Sequence, residues 1–228
     1  MKDIIVNQDK LKSLQIKDKT DALTINHTLF SLPLRVLLIS KSGGGKNTQL
    51  LNILCNDNLK YNKLFKGEHI YIFCPDCQSD EKMKLLLQFY DVPDNNIYGG
   101  DTLDIDGLKH VDDYSSGGKA SSRFNIISTI FTNSRKYNIN IFFLSQSYTA
   151  TNPTIRSNAN VLLIGNCSNK NLKLLSDEHN FLENEAEFKK MFRTNCSEKY
   201  QFFIINYTSK NADMYLNTDY QIIKHSKN

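Results

Sequence analysis

Residues 40–49, SKSGGGKNTQ, constrain this chain more than any other stretch, because of what flanks them. Before them, from residue 34, LRVLLIS is a short apolar run rich in branched side chains. After them, NTQLLNILC carries its apolar residues at helical spacing. A glycine-rich turn between a buried strand and a helix is the setting in which backbone N–H groups and a helix N-terminus can cradle phosphate. A complete phosphate-binding loop reads G-x-x-x-x-G-K-[ST], in which the lysine reaches the outer phosphates and the final hydroxyl holds Mg²⁺. Gly45 and Lys46 meet that pattern, and Ser40, Lys41, Ser42, Gly43 and Gly44 form the rest of the loop. Two positions depart from it: Ser40 stands where the first glycine belongs, and Asn47 takes the hydroxyl position, with Thr48 directly after it. Thr48 cannot replace Asn47, since one helical step turns it by about 100°.

At 228 residues the chain has the length of one substantial domain, and 40% hydrophobic with 23% charged residues is an ordinary globular balance. A single domain over 1–228 is expected, with residues 1–30 as an N-terminal extension and 31–222 as the core. The net charge of +4 leaves nucleic-acid binding open, because such binding shows as a concentrated basic stripe rather than a slight excess. Five cysteines and a start without a signal peptide suit a reducing compartment and a protein that is not secreted. Cys74 and Cys77 have the spacing of half a zinc site, with no second pair to complete it. The longest apolar runs fall far short of the ~20 residues a membrane helix needs, so no membrane span is expected.

Strand and helix patterns alternate along the chain. HIYIFC reads as a buried strand, and DEKMKLLLQFY as a helix with Met83, Leu86, Leu87 and Tyr90 on one face. DVPDNNIYGGDTLDIDG has the Pro, Gly and Asp density of an irregular connection. LKHV is a weak strand, RFNIISTIFTNSRKYN a helix carrying Ile126, Ile127, Ile130 and Phe131, and INIFFLSQ a strong strand. NVLLIGN is a further strand, NLKLLSDEHN and NEAEFKKMF are helices, and YQFFIINY is the last strand. Such alternation predicts an α/β fold, with a mainly parallel central sheet covered by helices on both faces.

In an open parallel sheet, ligands sit at the carboxyl ends of the strands, so catalytic groups are sought just beyond them. Asp112 and Asp113, in HVDD, follow the weak strand. Asp112 is placed to hold Mg²⁺ through water, and Asp113 to orient or deprotonate the attacking water. Asp76 is a rival acidic position after IYIFCP, and site geometry favours Asp112. Gln146 ends its strand where an amide can hold the attacking water or sense the γ-phosphate. Arg135 and Arg156 are each either a surface charge or a cation that neutralises charge on the transferred phosphate, and position alone does not choose.

The phosphate loop, VDDY, NSRKYNINIFFLSQSY, NPTIRSNANVLLIGN and FKKMFRTNCSEKYQFFIINY occur here in an order that resembles the poxvirus-type DNA-packaging ATPases of the FtsK/HerA superfamily. These proteins belong to large eukaryotic DNA viruses and virophages, and the resemblance spans roughly residues 30 to 220. It implies a RecA-like P-loop NTPase core that binds ATP and Mg²⁺ and assembles as a homo-oligomeric ring, expected to be hexameric. It also implies an ATP-hydrolysing motor that translocates double-stranded DNA into a preformed viral capsid at a portal-like vertex. The location implied is the host cytoplasm, a viral factory or the virion. On this resemblance Lys46 is the Walker A lysine, Asp112 the metal-site aspartate with Asn47 as the other metal position, and Asp113 the catalytic carboxylate. Gln146 is the sensor glutamine, and Arg156 or Arg135 the arginine finger offered to the next subunit. DNA contact would come from pore loops, for which SSGGKASSR, with Lys119 and Arg123, is a candidate.

Asn47 is the departure that matters, because magnesium demands near-ideal octahedral oxygen geometry and an amide oxygen stands further out than a hydroxyl. Three outcomes follow: Asn47 ligates the metal, water replaces the missing ligand, or nucleotide is bound and hydrolysed poorly. The alternative function is therefore a nucleotide-binding assembly protein with little or no turnover. A small-molecule P-loop kinase is a third class, but the chain has no clear arginine-rich lid.

Overall fold

In the computed structural model the described residues are 29–74, 77, 79–98, 127–182, 184–210 and 213–225. They fall into two compact units. The first holds residues 29–46 and everything described from 128 onward, and the second holds the described residues of 47–127.

The first unit is built on a five-stranded sheet of β1 (Arg35–Ile39), β4 (Ile141–Ser145), β5 (Val161–Gly165), β6 (Phe202–Asn206) and β7 (Tyr215–Leu216), in the order β4-β1-β5-β6-β7. The β1, β5 and β6 runs are continuous apolar segments, and β5 and β6 are buried at every position. Burial on both faces is why they do not alternate in polarity. The fold class is α/β, as expected, but the sheet is mixed. It is parallel through β4-β1-β5 and antiparallel at β6 and β7.

Register decides what the sheet presents at its edge. Ile39 is level with Ser145 of β4 and Ile164 of β5, so the segments that follow β1, β4 and β5 leave from the same edge. Because β6 runs the other way and pairs Phe202 with Gly165, the segment that enters β6 arrives at that edge too. Four loops thus converge there. At the opposite edge, Asn140 and Asn160 accept the Leu34 and Arg35 backbone N–H groups at 2.7 Å each, holding the start of β1 between its neighbours.

Described residues 127–133 are helical and form α3 as far as it is described. α4 (Pro153–Asn158) starts on Asn152, whose side chain accepts the Thr154 N–H, and has proline in its first turn. α5 (Asn169–His179) and α6 (Glu185–Asn195) are capped by Ser168 and Asn184. α6 sends Phe188 and Phe192 onto β6, where ring centroids lie 5.7 and 5.5 Å from Phe203, and Tyr215 stacks on Phe203 from β7 at 5.4 Å. Phe188, Phe203 and Tyr215 are fully buried. Each phenylalanine contributes about 1.5–3 kcal/mol by leaving water.

In the second unit, α1 (Lys46–Cys55) continues from its first residue, and α2 (Glu81–Tyr90) buries Met83, Leu86 and Tyr90, while Leu87 of the expected face is only half-buried. The Tyr90 hydroxyl donates to the Leu54 carbonyl, tying α2 to α1. The strand expected at HIYIFC contracts to β2 (Ile72–Phe73), and its partner β3 (Ile97–Tyr98) lies in the segment read as an irregular connection. Among the described residues, no helix is long and apolar enough to cross a membrane.

Candidate functional site

The glycine-rich loop leaves β1 at the convergent edge. Gly43 and Gly45 have φ of 68° and 93°, left-handed backbone that a side chain resists, and the Gly44 N–H closes a turn on the Lys41 carbonyl at 3.0 Å. Ser40, at the first-glycine position, keeps a backbone angle open to any residue. It is buried, its N–H donates to the Ser145 carbonyl of β4 at 3.2 Å, and its hydroxyl fills the space that a Cβ on Gly44 or Gly165 would need. Serine is accommodated because two other positions are glycine.

Lys46 opens α1 and curls back over the loop, its ammonium donating to the Ser40 carbonyl at 2.6 Å and the Lys41 carbonyl at 3.1 Å. Burial lowers its pKa. The loop borders a cavity of about 310 Å³, shared with Asn166 after β5 and the 197–201 turn before β6. That is within the size range of small-ligand sites.

In the second unit, Asn47 donates its side-chain amide to Asp80 Oδ2 at 2.8 Å. Asp80 caps α2, its other oxygen accepting the Lys82 and Met83 N–H groups at 2.9 and 3.0 Å. Burial raises the Asp80 pKa, but the hydrogen bonds from Met83, Asn47 and Lys82 outweigh it, so the carboxyl is held below its usual range. An ionised carboxylate only accepts, so the Asn47 nitrogen must face it and the amide oxygen is the atom left to serve as a ligand. Thr48 is committed elsewhere, accepting from the Lys82 ammonium at 2.6 Å. The Asp80 bond thus holds the Asn47 side chain by its nitrogen and leaves one amide oxygen as a lone-pair donor at this position.

Gln146 is exposed directly after β4, the strand next to β1. Arg135 is exposed in the turn after α3. Asp112, Asp113, Lys119 and Arg123, with the rival Asp76, lie outside the described residues. Among the described residues, no group of three or more His, Cys, Asp or Glu could hold a metal. Cys77 is a buried thiol that donates to the Cys74 carbonyl, with its pKa pushed up to about 12 by burial and by Cys74.

Arg156 is a correction. As a finger for a neighbouring subunit it would have to be free, yet it is 7% exposed and fully committed within its own chain. Its fork donates to Glu178 at 3.0 and 2.6 Å and to the Thr151 carbonyl at 2.7 Å, and its guanidinium lies 5.0 Å from the Tyr148 ring centroid. Neither the Glu178 partner nor the burial was readable from spacing, because a contact 22 residues away is made by the fold.

Around that ion pair the hydrogens are accounted for. Tyr148 donates to Glu178, so His179 Nε2 donates to the Tyr148 oxygen and His179 Nδ1 accepts from Tyr207. Near neutral pH the His179 ring is uncharged, because burial disfavours its charged form. Burial lowers its pKa to about 4, with Glu178 raising it and Arg156 lowering it. As pH falls below 6.5, the unfolded chain takes up a proton that the folded one refuses, so stability is lost between pH 6.5 and about 4. Unfolding free energy is expected to drop by about 2 kcal/mol from neutral pH to pH 5. The drop should flatten in His179→Gln. Equal urea midpoint shifts in both proteins over that range would show that His179 is not the cause.

The chain matches no protein-family model, no curated protein and no solved structure. The functional reading therefore rests on the loop, its setting and the motifs.

Proposed function

We propose that the protein is a P-loop ATPase with a RecA-like core that works as a homo-oligomeric ring, expected to be hexameric, and drives double-stranded DNA into a viral capsid. The observation that carries the nucleotide half is Lys46. It sits at the first turn of α1, after the loop that leaves β1, folded onto loop carbonyls that a triphosphate would displace. The packaging half is carried by the motif order that resembles the poxvirus-type packaging ATPases.

Lys46 and the N–H groups at the start of α1 would hold the outer phosphates. Asn47, through its amide oxygen, and Asp112 would hold Mg²⁺, which supplies charge neutralisation on the β- and γ-oxygens when bound. Gln146, leaving the strand beside β1, orients the attacking water, and Asp113 accepts its proton. Arg135 is the exposed arginine available as a finger to the adjacent subunit, which makes hydrolysis depend on assembly. Lys119 and Arg123 would track DNA phosphates without reading sequence.

The second reading, a nucleotide-dependent assembly protein with little turnover, is favoured by one observation: the Asn47 side chain is bonded to Asp80. Steady-state ATP hydrolysis with Mg²⁺, with and without double-stranded DNA and over a range of protein concentrations, separates the two. A motor shows turnover that rises with DNA and steeply with protein concentration. Tight ATP binding without turnover selects the assembly protein. An Asn47→Thr arm across a Mg²⁺ titration reports on the metal. Raised turnover means coordination limits the rate, and an unchanged titration curve rejects that cause.

A further inference from the structure

The segment that enters β6 is shaped in a way the β-strand does not require. Phe202 and Phe203 are fully buried, but Tyr200, two residues before Phe202, is 55% exposed and has φ of 71°. A bulky residue in the left-handed region is an outlier that the surroundings must hold in place. They do so here. The Gln201 side chain accepts the Glu198 N–H at 3.0 Å, the Gln201 N–H returns to the Glu198 carbonyl at 3.5 Å, and the Phe202 N–H is held by Thr218 Oγ1 at 2.6 Å.

The turn so held sets the Tyr200 ring against the phosphate loop. A Cβ placed on Gly45 would come within 3.1 Å of Tyr200 Cδ1, so glycine is needed there for contact as well as for its φ of 93°. Tyr200 and the glycine loop line the same cavity, with Asn166 on another side, and the antiparallel register of β6 brings them together. The charged residues lining it are Lys41, Glu198 and Lys199, and the Lys199 ammonium lies 4.8 Å from the Tyr200 ring centroid. An aromatic face carried beside a phosphate loop is a surface for a flat ring.

We propose that the 197–201 turn is the base-side wall of the nucleotide site, with Tyr200 as the platform on which the nucleobase of a bound nucleoside triphosphate stacks. This rests on reading the glycine loop as the phosphate site. Stacking uses the π-face common to all bases, so the ligand class is nucleoside triphosphate rather than adenine alone. The bond network around Gln201 makes the platform ready before ligand arrives, which lowers the ordering cost of binding.

The test is equilibrium binding of ATP, and of inorganic tripolyphosphate as the probe without a base, to the full-length wild type and to Tyr200→Ala, Tyr200→Gly and Tyr200→Phe. Tyr200→Gly removes the ring and relaxes the left-handed backbone, so it keeps the turn where alanine strains it. Loss of one stacked base predicts ATP affinity weaker by roughly 5- to 150-fold in the alanine and glycine variants. Tripolyphosphate affinity should stay within about twofold, and Tyr200→Phe should bind ATP like wild type. Unchanged ATP binding in Tyr200→Gly, or equal losses for ATP and tripolyphosphate, overturns the base wall and leaves the phosphate loop standing. Wild type that binds neither probe overturns the phosphate loop, and the base wall with it.

Discussion

Lys46→Ala is expected to lower ATP turnover by about a thousand-fold, to background, because it removes a positive charge placed where charge develops on the transferred phosphate. The fold should survive. Lys46 is only half-buried, and its ammonium bonds to the Ser40 and Lys41 carbonyls, which water can reach once the side chain is gone. The loop shape does not depend on it, since the Gly44 turn and the Ser40 link to β4 are backbone bonds. A stability loss of about 1 kcal/mol is the scale for such exposed bonds. Thermal unfolding and steady-state hydrolysis, measured on the same preparation, check both halves. Turnover retained by a well-folded Lys46→Ala sinks the ATPase assignment. An unfolded variant would mean that Lys46 holds the loop together.

What the sequence made legible was the part set by local pattern. LRVLLIS followed by glycines and an amphipathic run could only be strand, loop and helix, and β1 and α1 are found there. The INIFFLSQ, NVLLIGN and YQFFIINY strands were equally plain as short apolar runs, and the two late helices because each buries one face at helical spacing. Strand direction was not legible. A fully buried strand looks the same whether it runs parallel or antiparallel, so the sequence pattern of β6 predicts a strand and not its direction. HIYIFC was over-read, since Tyr71 and Phe73 are exposed and only Ile72 is buried. Asp80 had a signal, an aspartate directly before a helical run, that marks a cap. Its bond to Asn47 had none. Tyr200 enters the site through the reversed direction of β6, so its role follows from topology alone.

Arg156→Ala is expected to destabilise the fold by about 1–3 kcal/mol, because it removes the charge-assisted bonds to the part-exposed Glu178 and leaves the Thr151 carbonyl without its buried donor. The Arg156 pKa is raised, first by its bonds to Glu178, and that of Glu178 is lowered because those bonds and the Tyr148 hydroxyl outweigh burial. Each charge holds the other ionised. Arg156→Lys keeps the charge but not the fork that reaches both Glu178 oxygens and the Thr151 carbonyl, so it should recover only part of the loss. A finger for a neighbouring subunit behaves the opposite way. It would give Arg156→Ala normal urea unfolding and lost hydrolysis. The structure favours the first pattern for Arg156, which leaves Arg135→Ala as the substitution expected to lower turnover in the ring without moving the unfolding midpoint.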